Sequence, residues 1–421
     1  MTIEARKMEE RSEATQTEAP QRNKVATVKI WAGIGAVILL YQIYVLICWV
    51  TGPNFVEVPS GPTPVPGWIK LCCDVVTYWI GIPATLWIWW QFVIKPWRRT
   101  GQFLTGESMI TIWMTWFGWF WDPGANMTYS FFTYNSYMWN RGSWLADSPL
   151  WVSTMSGTGP GKMQAYPMIF DITVYCWGLA GIIILMAWCM RKIRARRPQM
   201  SNTMLVVSMF GPSLVVFACL EMFLMRCGIF NYHAPIPELT LWYGHYYQMP
   251  LLETIFAGLW TLGYACVVYF KNDKGELLCE HGLDQVKAGK VGKGLMRFCA
   301  FSAISVLVYF CSYNIPWNIH HWLVKPGWAK YAQEASYFNN YVCGPEVNIA
   351  CPTKNLPVTY KGSGYFDLEG NFVDRDGTRT PAYKVGADQV TKTRTSWPDP
   401  FWGYHPPYFF KDIFRFKDRD D

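Results

Sequence analysis

Histidine is scarce in this chain, with 6 among 421 residues, and none of them falls within a long apolar run. That scarcity excludes the His-rich di-iron sites of membrane hydroxylases and leaves haem without an evident axial ligand. The one adjacent pair, His320-His321, sits at an expected helix end, where neighbouring side chains point about 100° apart and share an ion poorly. Charge is also sparse, at 16% of residues. There is no Walker loop, no dinucleotide fingerprint and no nucleophile elbow, so nucleotide-driven and serine-hydrolase chemistry have no foothold. No internal repeat appears, which argues against an inverted-repeat transporter. Residues 1–24 are polar and no small-residue site follows the first apolar run, so no cleavable signal peptide is expected. The 13 cysteines form no metal pattern. Most of them (Cys48, Cys176, Cys189, Cys219, Cys266, Cys299, Cys311) lie inside apolar runs as small hydrophobes. Cys343 and Cys351 differ, because they bracket a short polar loop and can pair if that loop faces an oxidising compartment. Neither metal nor cofactor is expected.

Apolar residues, by contrast, make up 51% of the chain and are gathered into long runs. That is the signature of membrane spans rather than of a soluble core. The 24 tryptophans, many at the ends of those runs (Trp31, Trp49, Trp68, Trp97, Trp177, Trp317), suit the headgroup level. The expected fold is an all-α, polytopic transmembrane bundle of about seven spans. The spans read as 30–50, 68–94, 109–121, 168–190, 204–230, 251–270 and 295–313. The third is short and Trp-rich; the second carries Gly81 and Pro83, which predict a kink that neighbouring helices shelter.

Lys and Arg set the orientation. Arg22, Lys24 and Lys29 precede the first span, Lys95, Arg98 and Arg99 follow the second, Arg191 to Arg197 follow the fourth, and Lys271 to Lys293 follow the sixth. Alternate loops are therefore basic, which predicts N-in and C-out. The same pattern accounts for the net charge of +7 without invoking nucleic acid. The chain divides into a polar cytoplasmic tail at 1–28, a transmembrane bundle at 29–316 with a long outer loop at 122–166, and an extracytoplasmic extension at 317–421. Within that extension, 365–373 reads as a short hairpin about Glu369-Gly370, while Pro398 to Phe401 and Pro406-Pro407 read as extended chain. Asn126-Met127-Thr128 matches a glycosylation acceptor.

Ionisable residues inside spans are costly and mark candidate chemistry. Asp74, Asp122, Asp171, Glu221, Arg226 and Glu253 all fall in the outer part of their spans on this topology. Such a layer beneath an aromatic loop suits an acid–base pocket, because a carboxyl in low dielectric holds a proton near neutral pH. Arg226 is an expected ion-pair partner for Glu221, and His233 and His245 lie in the outer loop above the pocket.

The aromatic loop then carries a resemblance. Trp119-Phe120-Trp121-Asp122-Pro123, followed by Tyr134-Asn135-Ser136-Tyr137-Met138-Trp139-Asn140-Arg141-Gly142-Ser143-Trp144, resembles the AveC-like spirocyclase family of bacterial membrane proteins. Lys95 to Gly101, Gln248-Met249-Pro250-Leu251-Leu252-Glu253, Asn314-Ile315-Pro316, Cys343-Gly344-Pro345 and Ala350-Cys351-Pro352 follow in the same order, so the resemblance covers about residues 30 to 355. It implies spiroketal closure or dehydration of a lipophilic, polyketide-like or lipid substrate in the bacterial inner membrane. The acid–base roles fall to Asp122, Glu221 and Glu253. Tyr134, Asn135, Trp139, Asn140, Arg141, Trp144 and His245 would contact the substrate. The expected partners are that substrate and membrane lipids, not nucleic acid, with homo- or hetero-oligomeric assembly left open. Two other readings compete: a carrier for a lipophilic solute, and a non-enzymatic subunit of a membrane complex.

Overall fold

The structure, a computed structural model, describes residues 27–101, 103–127, 130–150, 164–233, 235–323, 328–351, 364–374 and 376–381. The N-terminal tail to residue 26, Thr128 of the glycosylation match, and the segments about Pro398 and Pro406 lie outside the described residues, as do the side chains of His320 and His321.

Among the described residues, six helices are long and apolar enough to cross a membrane, which makes this a multi-pass membrane protein. They are α1 (Thr27–Thr51), α2 (Gly67–Thr100), α4 (Met168–Arg196), α5 (Asn202–Arg226), α6 (Leu251–Tyr269) and α7 (Lys290–Ile319). The remaining expected span, 109–121, is a correction. In its place α3 (Gly106–Trp116) runs for 11 residues and gives way to a 3-10 segment, Gly118–Asn126. Eleven helical residues cover only about 16 Å of a hydrocarbon layer of about 30 Å. The start of α3 is fixed by a reciprocal cap between Thr105 and Ser108. Its end coincides with Gly118, Pro123 and Gly124, which together disfavour a continued α-helix.

Contacts set the direction of this short element. Glu107 at its start pairs with Arg191 at 2.9 Å, near the end of α4. Asp122 at its far end accepts a hydrogen bond from Tyr175, near the beginning of α4. It therefore runs antiparallel to α4, and Trp89 of α2 bonds Thr115 alongside at 3.0 Å.

Three of the long helices are locally widened into π-turns: Val75–Gly81 and Trp90–Ile94 in α2, Tyr175–Ala180 in α4, and Phe310–Asn314 in α7. The first lies directly before Pro83, whose missing N–H removes one helical donor. The last long helix continues through residues 316 and 317 in helical geometry to Leu323.

Loops over one end of the bundle form small antiparallel pairs. β1 (Phe132–Tyr134) pairs with β4 (Phe230–Tyr232), with Thr133 opposite Asn231. β2 (Arg141–Gly142) pairs with β3 (Ala165–Tyr166), and β5 (Thr240–Leu241) with β6 (Met249–Pro250). The hairpin about Glu369-Gly370 is present as β7 (Tyr365–Phe366) and β8 (Asn371–Val373), and β9 (Arg379–Pro381) extends it to three strands. Cys343 and Cys351 are joined by a disulfide, with Cα atoms 4.9 Å apart.

Candidate functional site

Asp122 is held in place through the backbone before it. Three successive carbonyls of the 3-10 segment each accept from a buried side chain: Trp119 from Tyr166 at 3.0 Å, Phe120 from Trp144 at 3.1 Å, and Trp121 from Tyr309 at 2.6 Å. Asn126 closes the segment, its side chain accepting from the Phe131 and Phe132 N–H groups and donating to the Phe132 carbonyl. A 3-10 turn satisfies few of its own carbonyls, so these partners stand in for the missing helical donors. Asn126 is buried, and the glycosylation match is thereby overturned.

The carboxyl so placed meets three phenols. Tyr175 donates to one oxygen of Asp122 at 2.6 Å; Tyr134 donates to the other at 2.7 Å, with Tyr166 more distant at 3.5 Å. Beyond Asp122 lies a cavity of about 50 Å³ whose lining also includes Glu221, Glu253, Tyr232, Trp260 and Tyr313. Tyr232 donates to Glu221 at 3.1 Å and Tyr313 to Glu253 at 3.0 Å. Glu253 is 1% exposed, and its second carboxyl oxygen has no hydrogen-bond partner among the described residues. Tyr175 and Tyr313 both belong to π-turns, where the extra residue turns a side chain off the regular helical face. Glu253 enters from the first turn of α6, just after β6. Among the described residues, no Lys, Arg or His lines the cavity.

The roof tyrosines stay neutral donors. Burial pushes Tyr134, Tyr166 and Tyr232 well above the ordinary phenol range, and the neighbouring carboxyls (Asp122, Asp171 and Glu221 respectively) push further in the same direction. His233, also buried in the roof, is pushed down to about 3 by burial alone. Its ring stacks on Trp328 with centroids 3.8 Å apart and its Nε2 meets the Thr133 hydroxyl at 2.7 Å.

The expected site residues divide clearly. Asp122, Glu221, Glu253 and Tyr134 line one cavity. Asn135 instead bonds the Gly228 carbonyl and the Tyr137 N–H. Asn140 pairs with both main-chain groups of Val58. Trp144 is buried against Tyr166 and bonds Phe120. Arg141 lies over the ring of Trp139, itself 44% exposed, and donates to the Asn140 carbonyl. His245 is exposed and stacks on Tyr247. These last six do not reach the cavity lining. The expected Glu221–Arg226 ion pair is also corrected, because the Arg226 guanidinium lies over the Tyr247 ring at 3.7 Å. Arg226 ends its helix among aromatic loop side chains, which draw it by cation–π attraction away from the cavity. Asp74 accepts from Tyr137 at 3.2 Å. Asp171 is fully buried and faces Tyr134 and Tyr166 without a hydrogen bond of ordinary geometry.

Sequence reasoning missed Tyr175, Tyr232 and Tyr313. The available signal was a phenol inside or beside an apolar run near a carboxyl, as Tyr175 stands one helical turn beyond Asp171. Among the described residues, no group of three or more His, Cys, Asp or Glu is arranged to hold a metal ion.

No curated protein and no solved structure matches the chain. Residues 97–338, more than half of the chain, match the family model described as Spirocyclase AveC-like, a stretch that contains Asp122, every tyrosine bonded to it, Glu221 and Glu253. The chain therefore belongs to the AveC-like spirocyclase family.

Proposed function

We propose that this chain is an integral membrane enzyme that closes or dehydrates a lipophilic hydroxyketone by acid–base chemistry in the carboxyl–tyrosine cavity. One observation carries the reading: three carboxyls and four phenols converge on one small space that no cationic side chain among the described residues lines. Such a lining suits a transition state that is itself positive, because fixed carboxylates and ring faces stabilise a developing cation.

One substrate hydroxyl adds to the ketone and gives a hemiketal. A protonated carboxyl gives its proton to the hemiketal hydroxyl, which leaves as water, and an oxocarbenium ion remains. The second hydroxyl attacks that carbon and passes its proton to a carboxylate. Asp122, which accepts from Tyr134 and Tyr175 with both oxygens engaged, suits the carboxylate role. Glu253, with one oxygen unpartnered in the cavity, suits the donor, and Glu221 stands beside it as the second proton-holding group.

The topology belongs to the same proposal. With the basic loops at 95–99, 191–197 and 271–293 in the cytoplasm of a bacterial cell, the cavity lies toward the outer side of the inner membrane. A carrier is less well supported, because Trp260 packs against Tyr264 and Tyr309 beneath the carboxyls.

The test is metabolite comparison of cells with and without the gene, read for a pair of compounds that differ by one water. Glu221→Gln and Glu253→Gln should each lower turnover of that pair by about 10²–10⁴-fold, the range for lost acid–base catalysis, while the proteins elute as folded particles. Wild-type turnover in both variants would sink the assignment.

A further inference from the structure

A substrate large enough to close a ring cannot occupy a space of about 50 Å³ without moving a wall, since that volume suits only a few water molecules. The walls differ in what holds them. The roof is cross-linked by hydrogen bonds: Thr133 donates to the Phe338 carbonyl, Ser136 N–H to the Tyr337 carbonyl at 2.9 Å, and the Asn340 side chain to the Tyr134 carbonyl at 2.8 Å. The rings of Phe131 and Trp317 meet at 4.0 Å. The floor is equally firm, with Trp260 against Tyr264 and Tyr309, and the Tyr264 hydroxyl bonded to the Ser305 carbonyl at 2.9 Å.

The side between α4 and α5 is different. Packing between these two helices is concentrated on the part of α4 that follows the π-turn, so they diverge toward the cavity. Only 22% of the apolar stretch of α5 is buried within the bundle. Leu220 and Glu221 remain partly exposed, and their neighbours Val215 and Phe223 face outward. Across the cleft stands Gly178, where an added Cβ would lie 3.2 Å from a Val174 methyl and 3.4 Å from a Leu220 methyl. At this gap a leucine side chain lies over a glycine. A rotamer change can move it, whereas the roof and floor require broken hydrogen bonds.

We infer that the cavity is loaded sideways from the hydrocarbon interior of the bilayer, through the cleft between α4 and α5, with Gly178 and Leu220 as its threshold. The ligand class follows from that route. It is an uncharged, membrane-dissolved molecule whose slender end carries the reacting hydroxyl or keto oxygens, because those oxygens must pass an apolar gap to meet the carboxyls. A bulky headgroup or a net charge would be refused at Leu220. The inference rests on this cavity being the reaction site, but its test needs no turnover.

The probes are two diazirines, one uncharged and bilayer-soluble, the other charged and water-soluble, applied to the full chain in lipid nanodiscs. Carbene adducts on Phe217, Phe230 and Tyr232 are counted by peptide mass spectrometry and normalised to adducts on lipid-facing Val215. The bilayer-soluble probe should label the cavity in the wild type and the charged probe should not. Gly178→Leu should lower that labelling at least fivefold, Leu220→Ala should raise it, and Gly211→Ala, where an added Cβ meets nothing within 4 Å, should leave it unchanged. If Gly178→Leu fails to fold, Gly178→Ala and Leu220→Ala decide in opposite directions. Preferential labelling by the charged probe, equal labelling in all variants, or no cavity labelling by either probe overturns the lateral route. Glu221→Gln and Glu253→Gln separate the two claims: retained labelling with wild-type turnover in both would remove the proposed chemistry and leave the route standing.

Discussion

Gly35 sits where α1 crosses α7, and a methyl group placed on it lands 1.7 Å from the carbonyl oxygen of Cys299 and 3.2 Å from the amide nitrogen of Ala303. A carbon rests against a carbonyl oxygen at roughly 3.3 Å, so Gly35→Ala must part the two helices by about 1.6 Å. Neither neighbour can yield alone, because both are backbone atoms of a regular helix. The parting loses close contacts along the whole crossing, and overpacking of this kind costs about 1–3 kcal/mol. Two positions away, Gly33 supplies the control, since an added Cβ there meets nothing within 4 Å. Gly33→Ala should gain about 0.5–1 kcal/mol from helix propensity alone. The two alanine variants should therefore differ by about 1.5–4 kcal/mol in reversible unfolding from bicelles. The shift also reaches the site, because α7 carries Tyr313, which bonds Glu253, and Tyr309, which bonds the Trp121 carbonyl. Gly35→Ala should accordingly lower turnover as well as stability, while Gly33→Ala leaves turnover unchanged. Indistinguishable stabilities for the two would refute the close crossing.

Tyr175→Phe removes the 2.6 Å bond to Asp122, a hydrogen bond to a charged acceptor worth about 1.5–3 kcal/mol, and should slow turnover by about 10–100-fold. Tyr166→Phe should cost turnover less, because its single proton serves the Trp119 carbonyl at 3.0 Å and Asp122 is only a distant second; equal kinetic losses would contradict that ranking. His233 makes stability depend on acid. Its folded ring stays unprotonated down to about pH 3, whereas the unfolded chain takes up that proton near its ordinary value of about 6.5, so stability should be full above that value and fall steadily as pH drops from there toward 3. Chemical denaturation at stepped pH should show that slope in the wild type and lose it in His233→Phe. Cys343→Ser opens a cross-link between positions 8 apart, worth about 2–3 kcal/mol on the chain-entropy account. Hydrogen exchange should then quicken over residues 336–351, and unchanged exchange there would show that other contacts hold the segment.

Long apolar runs were legible because the bilayer tolerates few other backbones, and α1, α2, α4, α5, α6 and α7 all stand where those runs lie. The failure at α3 has a physical cause. Its composition is apolar enough for a span, but Gly118, Pro123 and Gly124 convert the second half into a 3-10 turn, and hydropathy does not register that change. The π-turns that present Tyr175 and Tyr313 are equally silent, because they alter hydrogen-bond register without altering residue type.

The division among the expected site residues shows what a polar side chain in an aromatic loop is for. A loop that covers a bundle without regular strands leaves main-chain donors and acceptors in an apolar setting, and each one needs a partner. Asn135, Asn140 and Trp144 answer that need, each bonding a carbonyl or N–H from a distant segment. Such bonds are not exchangeable, because a substrate that displaced them would orphan a buried backbone group. Asp122, Glu221 and Glu253 are bonded to phenol hydroxyls instead. A substrate hydroxyl is the same kind of donor as a phenol, so it can enter that network by substitution rather than by rupture. On the proposed chemistry, the first such hydroxyl would bond the second carboxyl oxygen of Glu253. Buried polar residues in this fold are thus best sorted by the kind of partner they hold: main-chain partners mark the frame, and hydroxyl partners mark the place where chemistry can begin.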